Sequence, residues 1–396
     1  MTAKVTNILN IAIIGYGRAG KIHTNVLLNE LSNDSNFQLK YIIDEKFELN
    51  TNKNNKFTIY TNNINDVLYD EEVQAVIICT PTYTHYDIVK KCLQNNKHVF
   101  VEKPLANTLE ETKELYNLSH EKNKLLFIAF NRRYDPQFIK LKKKLSESIY
   151  GKPLYIIVIC RDYPFPPQNY LDTCGGLIRD CVVHDLDALC YVQNTKISKV
   201  EATVQENQEH SHITVYFENG VKATLVHSRY AESYDQRVNV VCERGTIQIK
   251  NPEITETLDP INFSGFYQPI SFNERYKDSY KIQMNKFITK IINKNYTSNI
   301  DKNHAIHIEN VLEACEESNN KNKIISLTQF RNYEENFTNC TNFTNSILVN
   351  VKNLYKTARI NQTIEHVIKM KNKYGTLEKQ YTIFEALKEI RSLRKP

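Results

Sequence analysis

The chain has 396 residues and a net charge of +6 at pH 7, from 51 Lys and Arg against 45 Asp and Glu. This length exceeds the usual size of one core and predicts two domains with an appendage. The basic residues do not cluster into the stripe that a nucleic-acid surface needs, so nucleic acid is not expected as a partner. Apolar runs are far shorter than a membrane span of roughly 20 residues, so no membrane is expected either.

Cysteine usage points to a reducing compartment. The nine cysteines form no CxxC pair, and their odd number argues against a complete disulfide framework. Residues 1–10 are polar and do not lead into an apolar stretch of signal-peptide length. We therefore expect a soluble, cytoplasmic protein with reduced thiols.

Residues 10–130 alternate short apolar runs with amphipathic stretches, for example over residues 84–95 and 109–122. Alternation of strands and helices predicts a parallel, doubly wound sheet, the Rossmann architecture of a dinucleotide-binding domain over residues 1–130. The predicted strands cover residues 10–14, 38–43, 57–60, 73–79, 97–101 and 125–130.

From about residue 150 the pattern changes to longer strand-like runs with turns at residues 218–220 and 243–245. It predicts an α+β domain over residues 131–329 with a large, mostly antiparallel open sheet, completed by helices at 275–292 and 304–318. Residues 330–396 are predicted to form a short helical appendage. The predicted strands cover residues 153–162, 197–206, 212–217, 221–230, 237–243 and 245–250.

Three glycines, Gly15, Gly17 and Gly20, follow an apolar strand and open a helical pattern. One glycine allows the tight turn, another lets the backbone approach a pyrophosphate, and the third lets helix and strand pack closely. Arg18 and Ala19 lie between them and are expected to contact the same cofactor. The alternative is a glycine-rich turn that binds nothing.

Asp44 lies at the end of the second predicted strand, 24 residues after Gly20, where an acid can accept hydrogen bonds from the adenosine ribose. Glu45 beside it would repel a 2′-phosphate, so NAD is favoured over NADP. Arg18 and Lys46 leave NADP open. Asp44 could instead cap a following helix.

Two further strand ends are expected to face the cofactor crevice. Thr80, Pro81 and His85 follow the fourth strand, and Glu102 and Lys103 follow the fifth. A lysine between a buried strand and Pro104 fits an acid/base group held against a cofactor, with Glu102 as a possible ion-pair partner. A surface lysine is the alternative.

Asp180 and His184 are four residues apart in a helical pattern, so both side chains are predicted to lie on one face. Oxidation of a secondary alcohol removes a hydroxyl proton while hydride leaves the carbon, and a histidine near neutral pKa suits the proton step. His184 could instead be a helix-face histidine that makes a packing hydrogen bond. The spacing of these residues and their acidic neighbours predicts no metal site.

These motifs together resemble the glucose-fructose oxidoreductase and inositol dehydrogenase superfamily, over roughly residues 8–328 and most nearly the inositol 2-dehydrogenases. The resemblance implies His184 as proton acceptor, Asp180 as substrate ligand and orienter, and Lys103 as the ammonium that polarises the hydroxyl. It also implies a homo-oligomer, a tetramer or dimer, built through the open faces of the second sheets. The segments that carry it are residues 15–20, 102–104, 175–180 and 184–187.

Four shorter segments support the same resemblance and supply candidate ligands for substrate hydroxyls. These candidates are Arg133, Asp162 and Tyr234, each of which could equally be a surface or turn residue. The segments are residues 131–136, 161–167, 234–237 and 274–280.

The predicted appendage resembles the N-terminal segment of myo-inositol oxygenase, at residues 330–333, 361–365 and 381–387. The resemblance implies that it lacks that family's iron ligands and cannot carry oxygenase chemistry. A generic pair of amphipathic helices is the alternative.

Taken together, the sequence predicts NAD-dependent oxidation of a cyclic polyol, with myo-inositol oxidised to its 2-ketone as the leading reaction. Another sugar, polyol or dihydrodiol is one alternative substrate, since few residues set such a pocket. A nucleotide-sensing regulatory protein that has lost catalysis is the alternative of another class.

Overall fold

The computed structural model describes residues 8–47, 58–205, 207, 209–251, 257–258, 265–266 and 271–328. The described residues as far as Leu327 belong to one compact unit. The predicted appendage, with its resemblance to an oxygenase, lies outside the described residues. Among the described helices, none is both long and apolar enough to cross a membrane.

A six-stranded parallel sheet occupies the first part of the chain. Its strands are β1 Leu9–Ile14, β2 Phe37–Ile43, β3 Ile59–Thr61, β4 Val73–Ile78, β5 His98–Val101 and β6 Leu126–Ile128. They lie in the order β3-β2-β1-β4-β5-β6, and all neighbours are parallel. The central strands β1, β4 and β5 are almost wholly buried, as expected for strands covered on both faces. The predicted doubly wound fold is confirmed.

Helices connect these strands, and local sequence signals explain where they begin. Helix α4 starts with a capping box, in which the Thr108 hydroxyl accepts from the Glu111 backbone while the Glu111 carboxylate accepts from the Thr108 backbone. The helices are α1 Arg18–Asn25, α2 Asn65–Leu68, α3 His85–Gln94 and α4 Leu109–Glu121, with a π-helical turn at Val26–Glu30 and a 3-10 turn at Thr82–Thr84.

The second sheet is mixed. Its strands are β7 Pro153–Arg161, β8 Ile197–Val204, β9 His210–Phe217, β10 Lys222–Ser228, β11 Asp235–Cys242, β12 Gly245–Ile249 and β15 Ile325–Ser326, while β13 Thr257–Leu258 and β14 Gly265–Phe266 form a separate pair. The order is β12-β11-β7-β10-β9-β8-β15. Every pairing is antiparallel except that of β7 with β10. Buried and more exposed residues alternate along β8, so one face of the sheet is packed and the other is open.

The helices of the second part are α5 Pro136–Ser146, α6 Gln168–Leu171, α7 Val183–Gln193, α8 Phe272–Arg275, α9 Lys277–Ile292 and α10 Lys302–Lys321, with a 3-10 turn at Asn131–Tyr134 and a π-helical turn at Ile178–Val182. Helix α5 begins where Asp135 accepts hydrogen bonds from two backbone N–H groups and Pro136 occupies the first helical position. The π-helical turn leads directly into α7.

One helix packs on a different sheet from the one expected. Both late helices were expected to complete the second domain, but Met284, Phe287 and Ile288 of α9 lie in the core of the first sheet. There the Phe287 ring lies 5.5 Å from Phe100 and 5.6 Å from Phe127, centroid to centroid. Hydrophobic periodicity reveals that a helix has an apolar face but not which sheet covers it. The α10 helix packs against β8, as expected.

Candidate active site

One cleft at the carboxyl edge of the parallel sheet collects nearly all the residues predicted from the sequence. Parallel strands all end at this edge, so the segments that follow β1, β2, β4 and β5 meet there. Gly20 and Arg133 are the predicted residues that do not line the cleft. Those that do are Gly15, Gly17, Arg18, Ala19, Asp44, Thr80, Pro81, His85, Glu102, Lys103, Asp162, Asp180, His184 and Tyr234.

The glycine loop leaves room for a ligand at one position. Gly15 has φ +93°, and a Cβ there would stand 2.8 Å from the Cys79 backbone. A Cβ on Gly20 would lie 2.0 Å from the Gly15 carbonyl oxygen, so Gly20 serves the close packing of α1 under the loop. At Gly17 nothing lies within 4 Å of a Cβ, so here the backbone is open to a pyrophosphate.

Asp44 follows β2 and is fixed by the loop beside it. Its Oδ2 accepts a hydrogen bond from the Tyr16 backbone N–H at 2.7 Å, and its Oδ1 accepts from the Lys46 N–H at 3.0 Å. The described residues directly after Asp44 form a turn, which its bond to the Lys46 N–H closes. Glu45 and Lys46 are exposed.

The loops after β4 and β5 are tied together by His85. Its ring nitrogens lie 2.9 Å from the Thr80 carbonyl oxygen and 2.7 Å from that of Pro104. Burial lowers the pKa of His85, although both carbonyl contacts act in the opposite direction. This link keeps Thr80 beside the segment that carries Lys103.

Glu102 has a different hydrogen-bond partner from the one expected. Its Oε1 lies 2.7 Å from Nε2 of His23, a buried residue of α1, whereas an ion pair with Lys103 was expected. Burial would raise the pKa of Glu102, but the bond to His23 lowers it below its usual value. Glu102 therefore connects the helix of the glycine loop to the segment that follows β5.

Lys103 and Asp180 come together across the cleft. The Lys103 Nζ donates to the Asp180 carbonyl oxygen at 2.7 Å and to its Oδ1 at 3.0 Å. The hydroxyl of Tyr170 donates to the same Oδ1 at 2.7 Å, and Arg229 Nη1 donates to Oδ2 at 3.1 Å. Burial would raise the pKa of Asp180, but the charges of Lys103 and Arg229 and the Tyr170 hydrogen bond hold it well below its usual range.

His184 lines the same cleft one helical turn beyond Asp180. Its Nδ1 is buried and has no hydrogen-bond partner among the described residues. Burial, followed by the nearby charges of Lys103 and Arg132, lowers the pKa of His184 well below the ordinary value. The ring is therefore neutral at physiological pH and can accept a proton.

The two adjacent arginines of the 3-10 turn have different surroundings. Arg133, the predicted substrate ligand, binds Asp187 through Nε at 2.7 Å and Nη2 at 2.6 Å, away from the cleft. Arg132 lines the cleft, pairs with Asp185, and places Nη2 3.4 Å from the Tyr234 hydroxyl. Consecutive residues in a 3-10 helix point about 120° apart, so only one of the pair can face the cleft. The sequence alone did not show which.

Three further residues complete the substrate side of the cleft. Burial and the nearby Asp180 charge raise the pKa of Asp162, and the buried Tyr234 packs beside Arg132. Tyr170 was missed by sequence reasoning, because a tyrosine that follows a proline-rich run carries no signal of its role. The Arg18 guanidinium lies 4.9 Å from the Tyr170 ring centroid, so this ring also covers the glycine loop.

A dinucleotide cradle that faces an ammonium, a carboxylate and a neutral imidazole defines a nicotinamide-dependent oxidoreductase acting on CH–OH groups. Residues 9–130 match the oxidoreductase family with an NAD-binding Rossmann fold, and residues 138–248 match the GFO/IDH/MocA C-terminal domain. The chain belongs to the GFO/IDH/MocA family of oxidoreductases, which confirms the superfamily resemblance.

Similar proteins span most of the described chain. An uncharacterized oxidoreductase of Bacillus subtilis is 30% identical over 322 residues, which are 77% of this chain and 93% of that protein. A myo-inositol 2-dehydrogenase of Thermotoga maritima is 29% identical, over 72% of this chain and 88% of its own length. The crystal structure of a probable dehydrogenase from Thermotoga maritima superposes with TM-score 0.73 at 27% identity, covering 81% of this chain and 99% of that one.

Proposed function

We propose that this protein is an inositol 2-dehydrogenase that oxidises the axial C2 hydroxyl of myo-inositol to the 2-ketone, with NAD as hydride acceptor. The contact between Lys103 and Asp180, with His184 in the same cleft, is the observation that carries this proposal. It joins one residue of the nucleotide-binding half to two of the second half. The Thermotoga maritima relative named myo-inositol 2-dehydrogenase supports the choice of substrate.

Each group has a distinct task in this reaction. NAD, which the glycine loop and Asp44 would hold, would supply the hydride acceptor. Neutral His184 accepts the hydroxyl proton, and its lowered pKa favours passing that proton on to solvent. The Lys103 ammonium stabilises the negative charge that grows on the substrate oxygen. Asp180 orients Lys103 through the 3.0 Å contact and accepts a hydrogen bond from a substrate hydroxyl.

The charges around the cleft favour an uncharged polyol over an acid. Asp162 and Asp180 both line the substrate side, where they repel an anionic substrate and accept hydrogen bonds from hydroxyl groups. Arg132, which would otherwise attract a carboxylate, is already paired with buried Asp185. A ring that carries several hydroxyls fits these acceptors.

The surroundings of Asp44 favour NAD. Its carboxylate is held at the end of β2 by two backbone N–H groups, and each oxygen keeps a lone pair for a ribose hydroxyl. A 2′-phosphate would meet the negative charges of Asp44 and Glu45. Lys46 supplies the nearby positive charge through which NADP could be used more weakly.

We also propose a homo-oligomer, a tetramer or dimer, formed through the open face of the second sheet. Apolar side chains from neighbouring strands reach this face, where Val226 of β10 is 36% exposed and Ile157 of β7 is partly exposed. Burying such side chains between two copies would stabilise an oligomer. The nucleotide domain is proposed to span residues 1–130 and the substrate and oligomerisation domain residues 131–329. The described cysteines are all unpaired, which supports a cytoplasmic location.

A substrate panel tests the proposal. The full chain is assayed with NAD and with NADP on myo-inositol, scyllo-inositol and D-glucose, and so is a version that ends at residue 330. We expect the highest kcat/KM with NAD and myo-inositol in both versions. A tenfold preference for glucose would move the protein to a sugar dehydrogenase, and an absence of turnover with every polyol would favour a nucleotide-sensing protein.

A further inference from the structure

Arg229 is a fully buried arginine, 1% exposed, that follows β10 and binds the Asp180 carboxylate from outside the cleft lining. Its Nη1 donates to Asp180 Oδ2 at 3.1 Å, and its Nη2 lies 3.5 Å from the Cys174 sulfur. Its backbone N–H donates to the Glu209 carbonyl oxygen at 2.8 Å. The backbone and one end of the side chain are therefore both fixed, and the guanidinium is held against Asp180.

The Asp180 carboxylate is shared between two cations. Lys103 binds Oδ1 at 3.0 Å from the cleft side, and Arg229 binds Oδ2. The nearby charge of Asp162 is offset by that of Arg18, so the two cations and the Asp180 carboxylate leave one positive charge in excess. Because Arg229 is buried and Lys103 lines the cleft, the substrate meets this excess charge at Lys103.

We propose that Arg229 is a positioning residue for the proposed polyol oxidation: it neutralises Asp180, so that Lys103 presents an uncompensated positive charge to the reacting oxygen. Without Arg229, Asp180 neutralises Lys103 alone, and the ammonium becomes a weaker electrophile. Stabilisation of a developing oxyanion depends on such preorganised positive charge in a site shielded from water. The inference rests on the proposed function of the same site.

The titratable and charged groups around Asp180 come from several segments. Loss of Arg229 removes one of the two cations that hold the Asp180 carboxylate ionised, so the pKa of Asp180 rises. Because turnover needs Asp180 ionised as well as His184 neutral, the acid limb of kcat/KM then moves to higher pH. The groups that face Asp180 are Lys103, Asp162, Tyr170, Cys174, Cys181, His184 and Arg229.

The test compares Arg229→Gln with Arg229→Lys and with a matched control, Arg275→Gln. Arg275 is also buried and binds a buried carboxylate, that of Asp135 at 2.6 Å, but it does not line the cleft. For Arg229→Gln we expect kcat with myo-inositol to fall by at least about tenfold, NAD affinity to stay within about twofold, and the acid limb to rise by about one pH unit. Arg275→Gln is expected to lower the unfolding temperature without moving the limb.

Arg229→Lys keeps the positive charge, so the acid limb of its kcat/KM profile is expected to lie at the wild-type pH. If Arg229→Gln loses stability as Arg275→Gln does but keeps kcat and the acid limb, Arg229 is only structural and the proposal is overturned. If Arg229→Gln does not fold, the proposal is overturned by an acid limb of kcat/KM in Arg229→Lys that differs from the wild-type one.

A second measurement separates this inference from the proposed function. The Asp180 carboxyl carbon is followed by NMR titration in the wild type and in Arg229→Gln, with Asp180→Asn to assign the signal. An upward shift of the titration midpoint supports the role of Arg229 in neutralising Asp180. If the protein at the same time oxidises no polyol, the proposed substrate is refuted and the role of Arg229 stands. An unchanged midpoint overturns the role of Arg229 whatever the substrate.

Discussion

Replacing His184 by Asn tests the proton transfer at the centre of the mechanism. Asn keeps a polar side chain of similar reach but cannot accept and release a proton near neutral pH. General base catalysis contributes about 10²–10⁴ in rate, which corresponds to roughly 3–5 kcal/mol of activation free energy. We therefore expect kcat for polyol oxidation to fall by about 10²–10⁴-fold. NAD affinity is expected to stay within about twofold, because His184 belongs to the half of the molecule that does not carry the glycine loop.

The assay is steady-state production of NADH, with NAD binding measured separately by fluorescence. His120→Asn serves as the control, because His120 is exposed on α4 and does not line the cleft.

The same assay gives a pH prediction for the wild type. A base works when it is unprotonated, and the pKa of His184 is held well below the usual value of about 6.5, so kcat/KM should stay flat from neutral pH to well below 6.5. An acid limb at or above 6.5, or a kcat within tenfold of wild type in His184→Asn, would refute this assignment.

Three further predictions concern the cofactor, the core and the arginine pair. Asp44→Ser removes a ribose ligand and a negative charge, so it is expected to raise KM for NAD by about tenfold and to lower KM for NADP. Unchanged KM values would show that Asp44 does not select the cofactor. Phe287→Ala is expected to cost about 3–5 kcal/mol of unfolding free energy, measured by urea denaturation, because the ring lies in the core of the first sheet. A cost below about 1 kcal/mol would contradict the packing of α9. Arg132→Met is expected to raise KM for the polyol. Arg133→Met should instead lower the unfolding temperature and leave KM unchanged, because Arg133 holds buried Asp187. The opposite pattern would reverse the roles of the two arginines.

The features that depend on local sequence were predictable. The spacing of Gly15, Gly17 and Gly20 indicates a nucleotide-binding loop. Strand-like apolar runs alternate with amphipathic stretches on either side of it, which is typical of a doubly wound sheet. Lys103 and Asp44 follow strands, and the ends of parallel strands meet at one edge, so their convergence could be expected before any coordinates. The structure adds that Lys103 and Asp180 are in direct contact.

Features that depend on long-range packing were not predictable. Arg132 and Arg133 are chemically alike and adjacent, and only the orientation of the 3-10 turn decides which faces the cleft. The partner of Glu102 is His23, 79 residues away, and no local pattern indicates such a pair. Arg229 likewise reaches Asp180 from a strand end in the second sheet. The apolar face of α9 was visible in the sequence, but its partner sheet was not.

The most direct test of the central claim is the reduction of NAD by myo-inositol carrying deuterium at the reacting carbon. The wild type should produce NADH and ketone in equal amounts, with slower turnover for the deuterated substrate in the chemical step. Lys103→Met should bind NAD but produce no measurable NADH, while Lys140→Met, at an exposed position of α5, should behave as the wild type. NAD binding without any NADH from a polyol, in a folded wild-type protein, would contradict the account.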